Sequence, residues 1–215
     1  MNLFVWDFHG VLEQNNEKAT KQITNIVLKE AGHNIKLTTK DNLKLYGAPW
    51  HVYFAHLLPN HTSEVHHELQ KVSFLHPLGP DLVKRHIKPT PHAHQVLQAI
   101  KAKGHTQIVI SRTAPQSLLF FLEAVNMLQY FPQDYALAVD GHIPNPTRSK
   151  QTILDAFLEG KKFEKIIAIG DSPADVELIR NPQDQSYLYT HPNKTPRDCN
   201  AHYKINDLRE ILREL

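Results

Sequence analysis

The sequence predicts an α/β fold, a Rossmann-like parallel sheet core carrying an inserted all-helical segment. Three observations predict it. Short apolar runs that end in polar or acidic residues recur along the chain. Patterns with helical spacing of apolar residues separate the later runs. One long stretch, from about residue 15 to 88, reads as helices only. Strands alternating with helices build a parallel sheet covered on both faces. A purely helical stretch inside that rhythm reads as a separate subdomain. The expected domains are therefore 1–14 with 89–215 as the α/β core, and 15–88 as a helical insertion.

The elements follow in chain order. NLFVWD at 2–7 is a short, continuously apolar run ending in an acid, as a buried strand would be. The insertion carries helical patterns at 16–32, 39–46, 50–58, 63–75 and 79–87. Gly47, Pro49, Pro59, Pro77 and Gly79-Pro80 punctuate them. A helix is predicted over 91–103, because Val96, Leu97 and Ile100 share one face and Gly104 follows its end. TQIVIS at 106–111 is the second strand. The helix over 115–129 opens on Pro115, a residue suited to a first turn. YALAV at 135–139 is the third strand, and a helix over 149–159 follows. KIIAI at 165–169 is the fourth strand, and a short helix starts after Asp171 in PADVELIR. SYLYT at 186–190 is the fifth strand, and 206–214 forms the last helix.

Composition narrows the class of protein. Of the 215 residues 41% are hydrophobic, a globular content. The net charge is +2 and the basic residues are scattered, which argues against nucleic acid as partner. No apolar run approaches the length of a membrane span, so no membrane partner is expected. MNLFVWDF turns polar too soon for a secretory signal. Cys199 is the only cysteine, so no internal disulfide exists. A cytoplasmic protein is the expectation. The fifteen histidines form a surface that charges as pH falls, or a metal site for which His66-His67 and His92-x-His94 are candidates.

Ligands of open parallel sheets bind beyond the carboxyl ends of the strands. There the first strand delivers Asp7, and the second delivers Ser111, followed by Arg112 and Thr113. The fourth delivers Gly170-Asp171-Ser172, with Asp175 close behind. The loop DGHIPNPTRSK after the third strand ends in Lys150 at a helix start. Singly, each has an ordinary structural reading. Asp7 caps a turn; Ser172 or Asp171 caps a helix with Pro173 in its first turn. Lys150 and Arg112 are solvated, and Trp6 is core. Together they gather carboxylates, a hydroxyl and an ammonium at one sheet edge.

Those residues resemble the motifs of the haloacid dehalogenase-like superfamily, in its C1-capped phosphatase branch. DFHGVL at 7–12 is similar to the family's D-x-D-G-T/V-L except at position 9. The strand ending in Ser111, then Lys150, then GDSPAD at 170–175 match the other three motifs in order. The helical insertion falls where the family places its cap, and resembles the small bundle caps of the phosphoglycolate phosphatase and β-phosphoglucomutase relatives.

The resemblance implies a function and a role for each residue. The activity is Mg²⁺-dependent hydrolysis of a small phosphorylated metabolite. Asp7 is the nucleophile that forms an aspartyl-phosphate. Asp7, Asp171 and the backbone carbonyl of His9 are Mg²⁺ ligands, with Asp175 a ligand or a partner that orients water on the metal. Ser111 donates to a phosphate oxygen, Lys150 supplies positive charge, and Arg112 is a candidate substrate contact.

The family's second aspartate protonates the leaving group and then deprotonates water. Here that position is His9. Imidazole offers both protonation states near neutrality, and acid–base assistance is worth roughly 10²–10⁴-fold. Three outcomes stay open: His9 does the same work, His9 does not reach the reacting oxygens and turnover is slow, or the chain binds a phosphorylated ligand with little catalysis. A sugar-phosphate phosphotransferase or mutase is a further alternative. In LYGAPWHVYFAHLL at 45–58, Tyr46, Gly47, Trp50 and His51 form a candidate substrate-facing edge. The competing reading packs Trp50, Tyr53, Phe54 and Leu57 inside the insertion.

Overall fold

The computed structural model describes residues 1–139, 149–192 and 194–215. They divide into two compact units, one of Met1–Gln14 with Pro89–Leu215 and one of Asn15–Lys88.

The first unit is built on six parallel strands: β1 (Leu3–Trp6), β2 (Thr106–Ser111), β3 (Ala136–Ala138), β4 (Ile166–Gly170), β5 (Gln185–Tyr189) and β6 (Tyr203–Ile205). Their order is β3-β2-β1-β4-β5-β6, so β1 lies inside the sheet between β2 and β4. All four β1 residues are buried. A strand flanked on both sides and covered on both faces has no wet position, hence its unbroken apolar run. Successive side chains point to opposite faces. Leu3 and Val5, Ile108 and Ile110, and Ile166 and Ala168 accordingly share one core cluster with Val139, Leu154 and Leu178. Burying a large aliphatic side chain of this kind stabilises the fold by about 1.5–3 kcal/mol.

The flanking helices of this unit are α6 (Ala93–Ala102), α7 (Pro115–Ala124), α8 (Lys150–Leu158) and α9 (Pro173–Val176). The second unit holds α1 (Asn16–Glu30), α2 (Thr39–Lys44), α3 (Trp50–Leu57), α4 (Ser63–Leu75) and α5 (Gly79–His86). Within it Tyr53, Phe54 and Leu57 are buried, Trp50 Nε1 donates to Thr24 Oγ1 at 2.9 Å, and the Trp50 ring meets Phe74 edge-on. The helical stripe of 50–57 thus packs within its own unit.

Several boundaries differ from the sequence-based expectation. The helix expected over 115–129 stops at Ala124. Asn126 adopts a left-handed φ of 58°, its N–H donates to Glu123 O, and Met127 N–H donates to Leu122 O. That pattern closes a helix. The helix expected in PADVELIR is one turn, Pro173–Val176, and the last helix is a 3₁₀ segment, Leu208–Glu214. The short edge strand Tyr203–Ile205 was not predicted; its three residues carry too little pattern to read. Residues 140–148 of the loop before Lys150 lie outside the described residues.

Candidate active site

From β1 the chain builds outward to β2 and β3, then crosses to β4 on the other side of β1. Such a reversal opens a crevice at the carboxyl ends of the two strands it separates. The register brings those ends level. Trp6 pairs with both Val109 and Ile169, and Asp7 N–H donates to Ile169 O at 2.8 Å. Asp7, Ser111 and Asp171 therefore emerge at one edge.

Local sequence then shapes each approach. After Asp7 the chain must reverse at once. Gly10 takes a φ of 83°, which costs a residue without Cβ little. The N–H groups of Val11, Leu12 and Glu13 all lie on Phe8 O, at 3.0–3.3 Å. After β4, Ser172 and Asp175 form a capping box: Asp175 Oδ2 accepts from Ser172 N–H at 3.1 Å and from Ser172 Oγ at 2.5 Å. Gly170 makes room for this. A Cβ there would stand 1.9 Å from Asp175 Cβ. On α8 Ser149 caps the first turn through Thr152 N–H, which places Lys150 at the first helical position.

Lys150 joins the parts. Its side chain is buried, and Nζ donates to Asp7 Oδ1 at 2.5 Å and Asp175 Oδ1 at 2.6 Å. It is no surface lysine. Carboxylate oxygens of Asp7, Asp171 and Asp175 lie within 4.8 Å of one another. Asp171 also faces Arg197 across 3.7 Å. Among the described residues, the buried Ser111 Oγ has no hydrogen-bond partner, a donor awaiting an acceptor. Arg112 is exposed just beyond β2.

The electrostatics follow from this crowding. Burial, and to a lesser degree Asp175 and Asp171, push the Asp7 carboxyl up to about 7 against the opposing pull of Lys150. Burial also raises Asp171, with Arg197 opposing. For Lys150 burial works downward, but Asp7 and Asp175 outweigh it and hold the ammonium above its ordinary value.

Three carboxylates face one buried ammonium and, at Asp171, one half-exposed guanidinium, an excess of acids over cations. Hard, clustered oxygens suit Mg²⁺, so the residues present fit that ion. Asp7 and Asp171 are the better placed donors, because Asp175 commits one oxygen to Lys150 and the other to Ser172. Among the described residues no other group of three or more metal-capable side chains gathers this way. His66 Nε2 is engaged with Leu58 O, and His94 Nε2 with Val125 O.

The structure thus brings Asp7, Ser111, Lys150, Asp171 and Asp175 to one edge. His9 follows on the loop, with Nδ1 2.9 Å from Glu13 Oε1. Glu13 and Arg197 are the residues that sequence reasoning missed. A glutamate four places after a histidine is a weak signal outside a helix, and Arg197 carries none.

The family model described as haloacid dehalogenase-like hydrolase matches residues 1–181, a span that holds the whole cluster. The chain belongs to the haloacid dehalogenase-like hydrolases. Solved structures agree on this hydrolase's fold. One described as a predicted phosphoglycolate phosphatase from Haemophilus somnus aligns with TM-score 0.77 at 16% identity, over 99% of this chain and 96% of that one. A haloacid dehalogenase-like family protein from Streptococcus pneumoniae aligns at 0.73 and 14% identity, over 99% and 97%. A HAD-superfamily hydrolase of subfamily IA from Geobacter sulfurreducens aligns at 0.70 and 18% identity, over 100% and 96%. At such identities the likeness is one of fold. No curated protein sequence matches the hydrolase at a significant level.

Proposed function

We propose that this hydrolase is an Mg²⁺-dependent phosphatase that cleaves a small phosphomonoester through an aspartyl-phosphate on Asp7. The observation that carries the reading is the junction of Asp7 with Lys150 at 2.5 Å, at one edge with two further aspartates and a buried Ser111 hydroxyl that has no partner among the described residues. Family membership supports it.

Asp7, Asp171 and the His9 backbone carbonyl would hold Mg²⁺, with Asp175 supporting them. When bound, the ion supplies the positive charge that lets an anionic carboxylate meet an anionic phosphoryl group. Asp7 attacks phosphorus as its carboxylate, and the ester oxygen leaves. Ser111 donates to one phosphoryl oxygen, and Lys150 holds charge on the same group. Arg112, exposed beside Ser111, extends the contact toward the substrate. His9 gives a proton to the leaving oxygen, then takes one from the water that cleaves the acyl phosphate. Asp175 positions Lys150 through the 2.6 Å contact. The helical unit, Asn15–Lys88, serves as the C1-type cap that selects the substrate.

A panel of phosphomonoesters, assayed with and without Mg²⁺, tests this. Wild type is expected to release phosphate only with the ion, and Asp7→Asn to lose release by roughly 10³-fold or more, the scale of a lost covalent route. Release that survives Asp7→Asn contradicts the mechanism. An inert wild type that gains activity as His9→Asp favours a phosphate-binding relative instead.

A further inference from the structure

The loop after β1 places a second acid beside the site, and the chemistry above gives it no task. Glu13 is fully buried, at 0% exposure, and its Oε1 lies 2.9 Å from His9 Nδ1. A carboxylate removed from water is costly unless hydrogen bonds and opposite charge compensate it. The backbone is arranged to keep it there. Glu13 N–H donates to Phe8 O in the tight turn that Gly10 permits, and His9 and Glu13 form a single β-bridge. Two aromatic rings wall the imidazole edge-on. The Phe8 ring centroid lies 5.1 Å from that of His9, and the Phe121 centroid 4.8 Å. A quarter of the His9 side chain is exposed, so the ring is held at one nitrogen and reaches out of the wall.

We propose that Glu13 is a positioning residue for His9. In this assignment Glu13 is a carboxylate, which only accepts hydrogen bonds, so Nδ1 carries the hydrogen between the two groups. The neutral ring is thereby fixed in the Nδ1–H tautomer, and Nε2 is left with the lone pair. Orientation is set by the same bond and by the two aromatic walls. His191 is close enough to Glu13 to feel its charge, which opposes the lowering that burial imposes on that imidazole; the His191 Nδ1 is 3.3 Å from the Tyr189 hydroxyl. The residue that replaces the family's aspartate thus comes with a support of its own, two elements of one loop. The catalytic consequence rests on the phosphatase reading; the tautomer does not.

Two measurements on the full chain test the assignment. The first is ¹⁵N–¹H correlation of the histidine side chains in divalent-free protein, at a pH where the His9 ring is neutral. Wild-type His9 is expected in the Nδ1–H form, and Glu13→Leu to restore the mixture of a free imidazole. Wild-type His9 found in the Nε2–H form overturns the proposal, whether or not any variant folds. The second is kinetic. Glu13→Gln is expected to lower kcat by roughly 10-fold or more, with KM changed by less than about twofold. The losses of Glu13→Gln and His9→Ala should fail to multiply in the double variant. Losses that multiply in full would make Glu13 a structural residue and overturn its role toward His9. If wild type turns over no phosphomonoester, the phosphatase reading fails by itself, and the tautomer still decides for or against Glu13.

Discussion

Asp7 shows how one side chain can be placed against its own preference. Burial and two neighbouring carboxylates raise its carboxyl to about 7, although Lys150 stands 2.5 Å away. A folded-state value above the ordinary 3.8 means that the folded chain holds a proton the unfolded chain has released. The resulting stabilisation is complete below 3.8 and is lost as pH rises through about 7. In divalent-free protein, Asp7→Asn should therefore gain Tm relative to wild type between about pH 4 and pH 8, by roughly 2–4 °C for each kcal/mol of linkage. Calorimetry at several pH values reads this, and parallel curves for the two proteins would contradict it. The identity of the acid was legible in the sequence, because a strand that ends in Asp is visible as a pattern. Its raised affinity for protons was not, since it is created by burial and by two acids, Asp171 and Asp175, that stand 164 and 168 residues further along the chain.

At the scale of elements, helix starts do much of the positioning. Ser149 and Thr152 cap α8 reciprocally, and Lys150 is the next residue along. Ser149→Ala should cost about 0.5–2 kcal/mol. A lowered denaturant midpoint with an unchanged slope would show it, and an unchanged midpoint would deny the cap its role. Ser172 and Asp175 repeat the device on α9, where the acid of the box also receives Lys150. The short helix after Asp171 was readable from Pro173 and its neighbours. That Asp175 would turn both oxygens inward was not, because the capping box and the lysine meet only in three dimensions. The end of α7 shows the converse. Its apolar spacing continues to residue 129, yet Asn126 adopts a left-handed conformation and closes the helix. Periodicity sees the face of a helix but is blind to such a backbone choice.

For the whole molecule, a cation held by the carboxylate cluster would couple binding to stability. An ion that binds the folded chain alone stabilises it by about 2.7 kcal/mol at a hundred times its Kd. For a chain of this length that is a rise in Tm of roughly 5–11 °C. Thermal unfolding with and without saturating Mg²⁺ should show such a shift in wild type and little of it in Asp171→Asn; equal shifts in both would remove Asp171 from the ligand set. What the sequence determined by itself was the alternation of strands and helices, the all-helical stretch between the first two strands, and the acids, hydroxyl and lysine beyond the strand ends. Each of these is written locally, in apolar spacing, turn residues and short motifs. Only the tertiary structure decided the order of strands around β1, the burial of Lys150 between Asp7 and Asp175, and the packing of Phe121 against the His9 ring. Those depend on which surfaces pack together and which charges lose their water, and no single stretch of chain contains that information.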